Sequence, residues 1–297
     1  MSPGAGWSWL WEGVSSVFRR PGTLIGAAAL MLLVPVGLGL VQAGSLLLAG
    51  GSPGIVQWVN GLAMLLVAVL FPLFCGGYLR IVDAIRHDRH VSAWDIFALF
   101  QPGSGGTRVV LVGLGFFLLT MLFMALIFFT VGHGVGTWYM QLMSATAKGA
   151  ATSSAAPEFP DDGFALAVAL LTVYFIFYSA AFAIGMGQAA LRERPVMAAI
   201  RDGIVGAVKN VLPLLVLTIC GLVAYLVFAV AGGVVVVMLG VLVVMVSPVL
   251  AALLVIPLYA VMMMVIYTVM FGVMYALWQD VAGADQAPSG EAARLEL

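Results

Sequence analysis

VLPLLVLTICGLVAYLVFAVAGGVVVVMLGVLVVMVSPVLAALLVIPLYAVMMMVIYTVMFGVMYALWQ, Val211 to Gln279, contains no Asp, Glu, Lys, Arg or His. No water-exposed surface is built from such a stretch, and a helix needs only about 20 apolar residues to cross a bilayer. Four further runs share the character: Leu24 to Leu48, Trp58 to Leu79, Val109 to Val131 and Phe164 to Leu191. The whole chain of 297 residues is 63% hydrophobic and 8% charged, against about 25% charged in soluble proteins. None of the runs alternates apolar and polar residues, as the strands of a membrane barrel do. The expectation is therefore an all-α, polytopic transmembrane helical bundle in one integral membrane domain, residues 1–282, followed by a disordered polar tail over 283–297.

How many helices the long run makes depends on its breakers. Gly232-Gly233 reads as the end of a helix over 211–231, and Ser247-Pro248 as the start of another over 248–278. Between them Val234 to Val246 is too short to cross, so it reads as a re-entrant or interfacial piece, or as the start of a Pro-kinked last helix. A cut at Pro257 is the rival. Six spans are expected, at about 24–48, 58–79, 109–131, 164–191, 211–231 and 248–278, with seven as the alternative.

Charge orients the bundle. Of twelve Lys and Arg, Arg19 and Arg20 precede the first span, Arg80, Arg86, Arg89 and Arg108 lie between the second and third, and Arg192, Arg194, Arg201 and Lys209 between the fourth and fifth. The opposite loops carry only Lys148, and Arg294 is in the tail. Loops rich in Lys and Arg stay in the cytoplasm, so the N-terminus and both basic connections are expected there, in a bacterial inner membrane. The segment His133 to Gly163 would be a long, flexible external loop.

Ahead of the first span stands WSWLWEGVSSVFRRPGTL, Trp7 to Leu24. On a helix over 7–20, Trp7, Leu10, Trp11, Val14, Val17 and Phe18 form one apolar stripe, with Ser8, Glu12, Ser15, Ser16 and Arg19 opposite. Such a helix suits the headgroup region, where indole rings and arginines both find partners, so Trp7, Trp11, Phe18, Arg19 and Arg20 are candidate membrane-interface residues. A signal peptide would fit Arg19-Arg20 and Val41-Gln42-Ala43, but the apolar core from Leu24 to Val41 is longer than the usual 7–15 residues. A related device recurs at Asp202 to Pro213, DGIVGAVKNVLP, which raises the expectation of an internal duplication with Glu12 to Pro21. VSAWDIFALF adds a third short interfacial helix: Ser92 and Asp95 have capping-box spacing, Val91 and Ile96 form a staple, and Trp94 and Phe97 follow as interface residues.

The order of these features resembles the BPSS-type family of multi-pass bacterial inner-membrane proteins. It rests on the Arg-Pro end of the aromatic N-terminus, FCGGYLRIVDAIRHDRHVSAWDIFALF after span two, Ala199, Gly203, Asn210 and Pro213 before span five, and the Tyr275 to Asp280 terminus. The resemblance implies a six-helix bundle and no established activity, so no functional residue carries over. The long external loop, the Val234 to Val246 piece and Gln279, where an arginine is common, depart from the pattern.

Chemistry-bearing sets are sparse. Asp83, His87 and His90 share a helical face, but Arg86 and Arg89 beside them would repel a cation, and a solvated helix end explains them better. Met270 and Met274 have the spacing for copper(I), yet thioethers more often fill gaps in a core. Cys75 and Cys220 read as packing side chains. No nucleophile-base set, phosphate loop or ionisable residue within a span is present, which disfavours an enzyme, an ion-coupled pump or a channel. No catalytic residue, cofactor or metal is expected. The function expected is binding, as a membrane scaffold or assembly partner that meets membrane lipids and other membrane proteins and no nucleic acid. The alternative is a carrier for a neutral or lipid-like solute, for which Gln42, Asn60, Tyr178 and Tyr225 are among the polar groups that could line a cavity.

Overall fold

The computed structural model describes residues 1–48, 53–147, 163–244 and 247–283. They form helices α1 (Ala5–Ser16), α2 (Pro21–Leu48), α3 (Pro53–Arg86), a 3-10 helix (Ala93–Phe100), α4 (Gly106–Phe129), α5 (His133–Ala147), α6 (Phe164–Leu191), α7 (Val196–Lys209), α8 (Val211–Val244) and α9 (Pro248–Trp278), closed by a π-helical turn, Gln279–Gly283. Among the described residues there is no strand, and six helices, α2, α3, α4, α6, α8 and α9, are long and apolar enough to cross a membrane. The chain is an all-α polytopic bundle.

The long apolar run divides differently from the sequence reading. Helix α8 continues through Gly232-Gly233 to Val244, so Val234 to Val244 is the end of a span and not a re-entrant piece. Glycine weakens a helix in water, but where no water competes for the backbone the helical bonds hold. Gly232 serves packing instead, since a Cβ there would collide with the side chain of Met262 on α9. Pro257 lies inside α9, whose start is set by Ser247: its Oγ accepts from the Leu250 amide at 3.5 Å, with Pro248 in the first helical turn. The segment expected as a flexible loop from His133 begins as helix α5; Lys148 and residues 149–162 lie outside the described residues, as does the tail from 284.

The spans are organised as three units, each a short helix followed by two spans: α1-α2-α3, the 3-10 helix with α4 and α6, and α7-α8-α9. The 3-10 helix packs on α3 and α2, α7 on α6 and α4, and α1 on α9 and α8. The 3-10 helix and α7 thus each lie on the two spans preceding them, and α1 closes the ring by lying on the last pair. The second spans, α3, α6 and α9, touch one another at the centre. The duplication expected from Glu12 to Pro21 and Asp202 to Pro213 corresponds to two of these three short elements.

Close backbone approach makes each crossing. A Cβ on Gly77 of α3 would run into the Ile96 carbonyl of the 3-10 helix, and one on Gly203 of α7 into the Ala181 carbonyl of α6. One on Gly272 of α9 would strike the Ser16 hydroxyl and approach the Gly13 Cα of α1 to 2.9 Å. Small residues make these crossings, while Trp9 and Leu10 of α1 and Ile96 and Leu99 of the 3-10 helix are buried beside them. On α7 Ala199, Gly203 and Gly206 are buried while Met197, Ile204 and Val208 are exposed. On α1 Gly6, Gly13 and Ser16 are buried while Trp7, Trp11 and Phe18 are exposed.

Gly272→Leu should destabilise the bundle by about 1–3 kcal/mol through overpacking at this crossing, whereas Gly22→Ala, whose Cβ meets nothing within 4 Å, should be neutral. Thermal exposure of the fully buried Cys75 to a thiol dye, in a Cys220→Ser background, measures both. Equal stability of the two variants would contradict the crossing.

A polar clamp and an apolar groove

The C-terminal ends of α3, α6 and α9 meet at the end of the bundle that carries the short helices and the basic residues. The last carbonyls of a helix have no partner within it, and cations close to them are favoured by the helix dipole. Arg80 of α3 donates through Nε to the Ala190 carbonyl of α6 at 3.0 Å and through its terminal nitrogen to the Ser104 carbonyl at 2.9 Å. Arg108 adds a bond to the Ala189 carbonyl at 3.2 Å. Arg192, beyond α6, donates to the Gly283 carbonyl beyond α9 at 2.6 Å. The Tyr275 hydroxyl of α9 returns to the Asp83 carboxylate of α3 at 2.8 Å. The three central spans are thus tied in a circle at one end.

Helix α1 is locked to the same end. Trp9, 1% exposed, donates its indole N–H to Asp280 at 2.9 Å, and Arg86 pairs with Glu12 at 2.6 Å. Sequence reading assigned the stripe of Trp7, Leu10, Trp11, Val14, Val17 and Phe18 but left out Trp9, the tryptophan that holds the helix in place. Its partner lies in the terminal Tyr275 to Asp280 segment, too distant in sequence for periodicity to reveal. Ser16, placed on the polar face, is buried, and its hydroxyl donates to the Gly13 carbonyl at 2.6 Å. The helix ends at Ser16 rather than at residue 20.

The candidate interface residues are on the outside of this clamp. Trp7, Trp11, Phe18 and Trp94 are 55%, 61%, 78% and 69% exposed, Arg19 is exposed, and Phe97 is half-buried between Trp94 and Phe74. Arg20 is partly tied, donating to the Arg89 carbonyl at 3.0 Å. The capping box is present: the Ser92 amide donates to Asp95 at 2.7 Å. Asp83, His87 and His90 do not share a helical face, because α3 ends at Arg86 and Asp88 takes a left-handed conformation at φ 52°. Asp83 is committed to Tyr275 and Arg89, and no cluster of three or more His, Cys, Asp or Glu suited to a metal occurs among the described residues.

Beneath α1, between α6, α8 and α9, is an apolar groove of about 680 Å³. Leu10 and Val14 of α1 and Val17 and Phe18 just beyond it form its roof, so most of the stripe read from sequence faces this space. Small residues line its two flanks: Ser179, Ala180 and Ala183 on α6 and Thr218, Gly221 and Ala224 on α8. Small residues at matched depth usually let helices touch. Here α6 and α8 meet elsewhere but leave a space at Gly221, where a Cβ would meet nothing within 4 Å. The corresponding seam between α3 and α4 is shut, and a Cβ on Gly113 would collide with the Pro72 ring. The Ser179 and Thr218 hydroxyls bond back to the carbonyls of Ile176 and Leu214 at 3.0 and 2.8 Å, so the flanks present an apolar surface. Tyr225, at the deep end, makes no hydrogen bond among the described residues.

Trp9→Phe and Asp280→Ala should each destabilise the protein, and a double-mutant cycle should return a coupling of about 1 kcal/mol by thermal unfolding, where independent effects would deny the bond. No protein-family model matches the chain, and neither a curated protein nor a solved structure was found to be similar to it.

Proposed function

We propose that this protein acts by binding within the membrane, as a lipid-associated scaffold: the groove beneath α1 seats one lipid-like molecule drawn from the leaflet at the basic end. In this reading the basic end faces the cytoplasm of a bacterial inner membrane, as in the BPSS-type family the sequence resembles, and the exposed Trp7, Trp11, Phe18, Arg19 and Trp94 lie among the headgroups. The observation that carries it is the open seam, in which Ala180, Ala183, Gly221 and Ala224 frame a space where two small-residue faces would otherwise pack.

Size and depth favour a lipid chain over a helix of another protein. The volume falls within the roughly 300–1,000 Å³ of small-ligand sites. Along α8 the groove runs from Leu214 to Phe228, a rise of about 21 Å, which is nearer to one leaflet than to the roughly 30 Å core that a partner helix must cross. Helix α1 also roofs it at the basic end. No catalytic step is assigned, because the flanks hold no free acid, base or nucleophile. A carrier of the same molecule is the second reading, supported by a separate cavity that approaches the opposite end of the bundle.

Intact mass measurement from native nanodiscs should find one retained lipid-like molecule on the wild type and none on Gly221→Phe, whose ring enters open space. Equal retention by both would contradict the groove, and a stoichiometric second polypeptide lost with the same substitution would replace the lipid by a protein partner.

A further inference from the structure

A second cavity, of about 430 Å³, lies between α2, α3, α4 and α6. It has a different character. Its floor is aromatic: Phe71 and Phe182 stack with centroids 6.2 Å apart, Tyr178 stacks on Phe182 at 5.8 Å, and Phe117 completes the wall. Its rim holds two carboxamides, Gln42 of α2 and Asn60 of α3, and neither side chain makes a hydrogen bond among the described residues. Several other polar groups of the spans are paired within the protein: Tyr174 with Thr120 at 2.8 Å, Gln188 with Asp202 at 3.3 Å, Tyr78 with Thr268 at 3.0 Å. Gln42 is half-buried and Asn60 is exposed at the mouth, so both carboxamides are open to a hydrogen-bonding partner that enters the cavity.

The backbone contributes as well. Pro72 and Ala68 both line the cavity, and Pro72 has no N–H to give to the Ala68 carbonyl. The Pro72 ring is seated against Gly113 of α4. Among the described residues, no Asp, Glu, Lys, Arg or His lines the space. Asn60 precedes Arg80 by a rise of about 30 Å on the same helix, so the rim lies near the end of the bundle opposite the basic clamp.

We infer that this cavity binds an uncharged, hydroxyl-bearing amphiphile of the monoacylglycerol kind, its apolar chain against Phe71, Phe117 and Phe182 and its hydroxyls on Gln42 and Asn60. Two carboxamides supply both donors and acceptors, which suits hydroxyls that do both. The absence of a cation among the described lining residues disfavours a carboxylate or phosphate head. This site is separate from the groove beneath α1 and does not depend on it.

The test uses full-length protein in nanodiscs carrying Gly221→Phe, so that the first groove is filled, with radiolabelled 1-monooleoylglycerol as the probe. Saturable binding is expected, weakened about tenfold by Gln42→Leu with Asn60→Leu, which remove only the amides and should not harm a helix in lipid. Gly39→Leu should abolish it while leaving both amides, since Gly39 borders the cavity and a Cβ there meets nothing within 4 Å. Oleate should fail to displace the probe. Unsaturable binding, unchanged affinity in either variant, or displacement by oleate as effective as by monooleoylglycerol would each overturn the assignment.

Discussion

The structure depends on short helices crossing long ones at near-backbone distance. In a bilayer, burial from water cannot hold helices together, because lipid tails are as apolar as leucine; what remains is close packing and polar bonding. Gly77 beneath Ile96, Gly203 against Ala181 and Gly272 against Gly13 and Ser16 supply the packing at three related places. With those contacts made, each short helix fixes where the following span starts, and α1 returns to the last pair to close the ring. The arginine and tyrosine bonds that circle the ends of α3, α6 and α9 then become possible, because they join helix ends that the crossings have already brought together.

A ring of three similar units is instructive where it fails to repeat. Between α3 and α4, Pro72 fills the notch at Gly113; between α6 and α8 the notch at Gly221 stays open. The two small-residue faces there are the kind that would support a tight pair, and their separation converts a packing motif into the wall of a groove. The residues roofing it come from α1, whose position is fixed by Trp9 on Asp280 and Glu12 on Arg86. The roof of the groove and the clamp therefore both depend on one short N-terminal segment.

Much of this was legible in the sequence. Uncharged runs gave six spans, the capping box gave the 3-10 helix, and the N-terminal periodicity gave α1 together with its exposed Trp7, Trp11 and Phe18. Three things were not legible, for physical reasons. Gly232-Gly233 looks like a helix end because glycine breaks helices in water, a rule that weakens in lipid. The buried face of α1 mixes Gly6, Gly13 and Ser16 with Trp9 and Leu10, so hydrophobic periodicity does not single it out and passes over Gly6, Trp9 and Gly13. Gly221 with Ala224 reads like any other small-residue pair, and only the facing helix decides whether such a notch is filled.

Paired cysteines test most directly that one seam is open while its counterpart is shut. Ala180 lies about 16 Å from the basic end of α6 and Gly221 about 15 Å from that of α8, so the two are level. In a background without Cys75 and Cys220, Pro72→Cys with Gly113→Cys should oxidise readily to a disulfide in native membranes, as side chains in contact do. Ala180→Cys with Gly221→Cys should resist direct oxidation and yield only to a longer bifunctional reagent that spans the groove. Equally fast disulfide formation at both pairs would mean that α6 and α8 pack together, and that the groove and the function assigned to it do not exist.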